Sequence, residues 1–232
     1  RAFPQALKKK IFANNRWFLQ RVLMPNAAPR HLFDSLRVAD IFEQSATGDA
    51  DKVTFKFLHL MVPHPPYRVD SNCQRLDKSV RTDKQLFEEQ AGCALRLTKK
   101  MIDKLKQLDV FRQSMIVVVA DHGHALHYIP AKRPQGFPIL EQAMPLLLVK
   151  PLGNPGNEAL RESMAPVSAI DLPKTVANSI GLTAEFPGED VLSLDPSKQR
   201  DRNYRHYGWH NKFWHHDYLP KMQEFVVRGD VR

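Results

Sequence analysis

A chain of 232 residues has room for one large domain or two small ones, and its 43% hydrophobic content suits a globular protein with a sizeable core. Its longest apolar runs, such as Met115–Ala120 and Met144–Val149, fall far short of the roughly 18–20 residues that a membrane-crossing helix needs. Lysine and arginine outnumber aspartate and glutamate by 34 to 25, giving +9, a balance that favours anionic substrates or anionic lipid surfaces. The basic residues are scattered, with no zinc-finger spacing or RNA-recognition motif, so no nucleic-acid partner is expected.

The first ten residues are basic, but no long apolar segment with a small-residue cleavage site follows, and they are not read as a signal peptide. With no initiator methionine, the chain is expected to be part of something longer. Cys73 and Cys93 flank a polar, charge-rich stretch. They are either two unrelated thiols, the better reading in a reducing compartment, or one bridge worth about 3 kcal/mol in an oxidising one.

In chain order, the segment to about Glu43 mixes basic and aromatic residues with breaks at Pro25 and Pro29, and reads as irregular structure with one or two short helices. A turn-rich linker, Ser45–Asp51, leads into Val53–Met61, whose β-branched and aromatic residues predict a strand. Val62-Pro63-His64-Pro65-Pro66-Tyr67 cannot continue a sheet, which places His64 on a stiff loop. Apolar positions Phe87, Ala91, Ala94, Met101, Leu105 and Leu108 recur at helical spacing and predict an amphipathic helix over about 83–108.

Ser114–Ala120 is a continuous apolar run of the kind found in strands covered on both faces, as in parallel sheets flanked by helices. Asp121-His122-Gly123 follows, then a loop rich in histidine, proline and glycine to about Ala143, and a further buried strand at Pro145–Pro151. Pro166–Ile180 predicts a helix closed by Gly181. Asn203–Trp209 and Glu224–Gly229 read as a late hairpin or edge strands. The order of elements indicates an α/β domain.

Reactive groups in open α/β sheets gather beyond the carboxyl ends of strands, and two of the predicted strands end in histidine-bearing loops. Asp121 and His122 offer a carboxylate and an imidazole, a donor pair suited to divalent ions, and Gly123 permits the bend that lets both face one ion. Alone, the tripeptide reads better as an ordinary strand end with a turn-capping carboxylate. His64, with His124 and His127 just downstream, favours the chemical reading.

Several blocks in this order resemble the sulfatase-like branch of the alkaline phosphatase superfamily, especially the extracytoplasmic domains of bacterial lipoteichoic acid synthases and phosphoethanolamine transferases. They are Phe57–Tyr67, the helix leading to Ser114–Gly123, Met144–Pro151, Ala169–Thr175, and Arg200-Asp201-Arg202 with its aromatic sequel. The resemblance implies an alkaline-phosphatase-like sheet flanked by helices. Residues 53–232 would be its C-terminal part, and 1–52 an irregular or helical lead-in.

It also implies that Asp121 and His122 bind one of one or two divalent ions (Mn, Zn, Mg or Ca). His64 would serve catalysis by contacting the anionic group of the substrate or a second ion, and His124 would stand beside the substrate where the family commonly has an acidic residue. His59 takes a structural role inside its strand, and His206, His210, His215 and His216 are surface or aromatic-cluster residues. No Thr, Ser or Cys here has the surroundings of the family's nucleophile, Cys73 and Cys93 lacking the sulfatase Pro and Arg, so the nucleophile is expected upstream of Arg1. The expected whole is an extracytoplasmic hydrolase or transferase acting on lipid- or glycan-linked esters, tethered by membrane helices outside this chain and inactive as this piece alone. The alternative is a non-catalytic lipid-binding or sensing domain of the same fold.

Overall fold

The structure, a computed structural model, describes residues 12–13, 16–17, 31–49, 51–80, 83–124, 141–206 and 222–228. The chain divides into two compact units, residues 1–108 and 109–232. The first carries β1 (Phe12–Ala13), β2 (Arg16–Trp17), α1 (His31–Ser45), β3 (Tyr67–Val69), β4 (Arg75–Val80) and α2 (Lys84–Gln107). The second carries β5 (Ile116–Val119), β6 (Leu147–Lys150), α3 (Leu172–Ser179), β7 (Arg202–His206) and β8 (Gln223–Val227), with 3₁₀ turns at Glu141–Ala143 and Ala169–Asp171. Among the described residues the strands pair as four antiparallel ribbons, β1 with β2, β3 with β4, β5 with β6 and β7 with β8.

Helix α2 organises the first unit. Asp83 caps it, its carboxylate accepting from the Leu86 amide at 2.9 Å, and Lys104 and Lys106 sit in the last turn, where cations suit the helix dipole. Gln90, Cys93, Leu97 and Met101, spaced by three and four residues, form its buried face. Cys93 and Leu97 pack there with Ala39 of α1, Val62 and Val69. Lys100 fastens α1 from outside through Asp40 at 2.8 Å and Glu43 at 2.7 Å. Helix α1 is one continuous fifteen-residue element where the sequence suggests only short helical pieces, and the readings for residues 18–30 lie outside the described residues.

The predicted strand at Val53–Met61 has no ladder partner among the described residues. Val53, Phe55 and Phe57 are 86%, 82% and 78% exposed, and only the end of the run is anchored, through buried Val62 and the Met61 amide, which donates to buried Ser35 Oγ at 2.8 Å. Strand propensity describes how well a side chain fits a pleated surface, so with no described strand edge beside it the run forms no ladder. His59, expected within that strand, is exposed, its ring 6.5 Å from that of Phe57.

Beyond the prolines the chain turns into β3, which buries Tyr67 and Val69 and leaves Arg68 half-buried between them. The hairpin to β4 is pinned at Asp70, whose carboxylate accepts from the amides of Asn72 and Gln74, and at Cys73, which is disulfide-bonded to Cys93 of α2. The bridge resolves the two readings of this cysteine pair.

In the second unit β5 and β6 run antiparallel, Ile116 opposite Lys150 and Val119 opposite Leu147, and both strands are only half-buried. The apolar run was expected in a parallel sheet. A run of this kind signals apolar surroundings on two faces, and it carries no information on strand direction. Lys150 Nζ closes the ribbon's base by donating to the carbonyls of Phe111 (2.6 Å), Arg112 (3.1 Å) and Ser114 (2.8 Å), and burial lowers its pKa.

The predicted helix over Pro166–Ile180 begins at the 3₁₀ turn instead, because the Asp171 carboxylate folds back to accept from the Ser168 amide at 2.7 Å. Gly181 ends it at φ +69°, as expected. Asp171 is fully buried and also accepts from the Glu189 amide at 2.9 Å and, bidentately, from Arg200 at 2.7 and 2.8 Å. The late strands pair antiparallel, Arg202 opposite Val227 and His206 opposite Gln223, while residues 207–209 and 229 of that reading lie outside the described residues.

Two outcomes follow for stability. Protein kept oxidised should show no free thiol on denaturant titration with a thiol reagent. Its reduction should cost about 3 kcal/mol in equilibrium unfolding. Replacing Arg200 by methionine should cost about 3–5 kcal/mol, since it strands a buried carboxylate. Burial alone would raise the Asp171 pKa, but the hydrogen bonds from Arg200, Glu189 and Ser168 outweigh it and hold the pKa below the usual value. The wild-type protein should therefore have this stabilisation in full above the unfolded carboxyl's pKa, about 3.9, and lose it as pH falls through the lower folded value. Urea midpoints measured from pH 7 downward test the sign.

Candidate functional site

Strand β5 delivers Asp121 and His122 to a corner of the second unit. Its ladder runs one bond past the strand, the Ala120 amide donating to Leu146 O at 3.0 Å, and the chain then turns away. The turn is fixed by Gly123, whose amide donates to Gln142 O at 3.0 Å. A Cβ on Gly123 would stand 1.9 Å from Glu141 O and 3.0 Å from Met144 O, so only glycine lets the corner pack on the 3₁₀ turn at Glu141–Ala143.

Both side chains face solvent, Asp121 87% and His122 56% exposed. Asp121 Oδ1 accepts from the His122 amide at 3.0 Å, which leaves Oδ2 facing His122 Nε2 at 3.8 Å. His122 Nδ1 lies 2.7 Å from Gly123 O. A carbonyl only accepts, so Nδ1 carries the proton and Nε2 presents its lone pair, the tautomer a metal-binding imidazole needs. Two donors each about 2.0–2.2 Å from one tetrahedral zinc ion stand about 3.3–3.6 Å apart, slightly closer than this pair at 3.8 Å. His124 follows, partly buried, with Nδ1 shielded from solvent. Among the described residues no three His, Cys, Asp or Glu side chains form a metal-holding group.

His64 belongs to the first unit and is exposed on the loop after Val62. Its Nδ1 lies 2.5 Å from Pro65 O, which sets the same tautomer as in His122. The loop's backbone is held by the His64 amide donating to Met61 O at 3.1 Å and by Gln90 Nε2 donating to His64 O at 3.1 Å.

A family model described as Sulfatase matches residues 14–182, well over half of the chain. The chain belongs to the sulfatase family. Searches of curated proteins and of solved structures return no significant match. Membership gives an alkaline-phosphatase-like α/β fold and ester-hydrolase chemistry, and sulfatases generally use divalent ions. No described helix is long and apolar enough to cross a membrane.

Of the expected site residues, the structure brings Asp121 and His122 to one corner and joins Cys73 to Cys93. His206 stands on β7 with its ring 6.3 Å from that of Tyr204, while His127, His210, His215 and His216 lie outside the described residues. Sequence reasoning assigned no role to Gln90 or to the Asp171–Arg200 pair. The second left a signal, an acidic residue inside the apolar stretch Ala169-Ile170-Asp171-Leu172, which demands a buried cationic partner. Gln90 left none.

Gly123→Ala should displace the corner from the Glu141–Ala143 turn. Denaturant unfolding should show a loss of about 1–3 kcal/mol.

Proposed function

We propose that this sulfatase-family chain supplies two metal ligands, Asp121 and His122, to a hydrolase or phosphoryl-group transferase that acts on anionic ester headgroups of the cell envelope. The observation that carries the reading is the corner itself. Asp121 Oδ2 faces His122 Nε2 at 3.8 Å, and the imidazole is locked by Gly123 O into its metal-ready tautomer. A divalent ion bound there, whether Mn, Zn, Mg or Ca, supplies charge neutralisation on the transferring group and lowers the pKa of the attacking hydroxyl. Asp121 and His122 hold their donors outward. Gly123 keeps the corner bent.

His64 is the catalytic histidine of the reading. Its imidazole contacts a non-bridging oxygen of the substrate, or a second ion, and His124 stands on the substrate side of the corner. The nucleophile and the remaining ligands come from outside this chain, in keeping with the absence of a family-type Thr, Ser or Cys segment. A lipid- or glycan-linked phosphate or sulfate ester fits the net charge of +9. The Cys73–Cys93 disulfide supports an oxidising, extracytoplasmic setting, with a membrane tether in segments outside this chain.

Metal analysis of the purified full-length protein tests the reading. The wild type should retain manganese, zinc or calcium after dialysis, and Asp121→Ala and His122→Ala should lose both the ion and turnover of a nitrophenyl phosphate or sulfate. A wild-type protein that never takes up metal would favour the lipid-binding or sensing alternative. The 232-residue chain by itself should hydrolyse neither ester, and rapid turnover would sink the assignment of the nucleophile elsewhere.

A further inference from the structure

We infer that Gln90 is a positioning residue for His64, an inference that rests on the catalytic reading of that histidine. Gln90 is fully buried on α2, and its amide joins the two ends of the loop that carries His64. At one end Nε2 donates to His64 O at 3.1 Å. At the other Oε1 accepts from the amides of Arg68 at 2.8 Å and Val69 at 3.3 Å. One side chain thereby closes the loop from His64 to Val69 with three hydrogen bonds.

The consequence for the imidazole is geometric. His64 Nδ1 is bonded to the carbonyl of the next residue, so the ring's orientation follows the backbone of residues 64 and 65. That backbone is held before the ring by Met61 O and after it by buried Tyr67, whose ring meets Phe87 of α2 edge-on at 6.1 Å. Gln90 supplies the link from His64 itself to the helix, and no other described side chain bonds His64 O. Releasing the loop therefore moves His64 Nε2 without removing any group that touches the substrate. Displacements of about 1 Å at such groups cost up to about 100-fold in rate.

The test separates this role from simple stability. Gln90→Glu keeps the acceptor for Arg68 and Val69 while replacing the donor to His64 O with a second oxygen, and Gln90→Leu removes both. Where Gln90→Leu fails to fold, Gln90→Glu carries the measurement. Full-length proteins are compared at a temperature where folded-state circular dichroism is unchanged. Both variants should shift the ring carbon and nitrogen NMR signals of His64 away from the wild-type Nδ1–H pattern. They should also lower kcat/KM for a nitrophenyl ester by about 10–100-fold. In the His64→Ala background, Gln90→Glu should then cost nothing further, because two residues acting through one group are not additive.

Unchanged His64 signals in both variants overturn the inference whatever the kinetics, as does an additive double variant. Wild-type turnover in His64→Ala overturns the catalytic reading of His64 and with it the kinetic part of the inference. Shifted NMR signals in the Gln90 variants would identify that failure as one of the reading rather than of the loop geometry.

Discussion

An amide buried without solvent must make its hydrogen bonds inside the protein, at a cost of about 1–3 kcal/mol for each group left unmet, and Gln90 meets this constraint by closing the first unit on itself. Its oxygen takes two amides of β3 and its nitrogen takes the carbonyl of His64, so one residue of α2 holds both the strand and the loop before it. One turn further along the same face, Cys93 reaches back to Cys73 in the hairpin loop. The helix thus grips a continuous stretch of chain from His64 to Cys73 at two points. The apolar contacts of Val62, Val69 and Leu97 fill the space between them. Ordinary hydrophobic burial would tolerate sliding, and it is the directed bonds that fix the register.

The second unit solves a like problem with charge. Asp171 is as fully removed from water as Gln90, and a lone carboxylate there would be far costlier than an amide. It is met by a bidentate guanidinium and two backbone amides, so both oxygens are satisfied twice. Gly188 at φ +95° allows this, since a Cβ there would come within 2.6 Å of Asp171 Oδ1. Thr175 extends the arrangement by donating to Asp171 O and accepting from the Val191 amide. The segments before α3, after α3 and up to Arg200 are held to one carboxylate. The gain lies in specifying one arrangement of three loops, because much of the Coulombic attraction is spent on removing both ions from water.

These two centres also mark where the sequence could and could not be read. Periodicity reported α2 to within a residue at either end, since its apolar positions and the Asp83 cap act locally. The β7–β8 ribbon was legible for the same reason. Val53–Met61 was misread because strand propensity is local while pairing needs an edge supplied from elsewhere, and the direction of β5 was misread because apolar runs are silent on it. The Asp121-His122-Gly123 segment was legible as the point where the chain leaves β5. Its need for glycine was legible only as flexibility, whereas the structure gives a steric reason, the approach of Glu141 O. Gln90 is one polar residue among several on α2, and nothing in its neighbours distinguishes it until the loop is seen to fold over it.

His64 and His122, both exposed, share a device that constrains what each can do. In both His64 and His122 the Nδ1 proton is committed to the carbonyl of the following residue, so the ring's orientation follows the local backbone. The exposed nitrogen of the neutral ring is then an acceptor. For His122 this is the form a metal ligand requires, and the adjacent Asp121 carboxylate adds negative charge at the corner. For His64 the same tautomer divides the two roles its position allows. A neutral His64 can ligate an ion through Nε2 but has no proton there to give an anionic oxygen, whereas the protonated ring donates to such an oxygen and repels a cation. On the proposed reading, substrate contact and a second ion would be alternatives at His64, and the loop that Gln90 holds would set where Nε2 points.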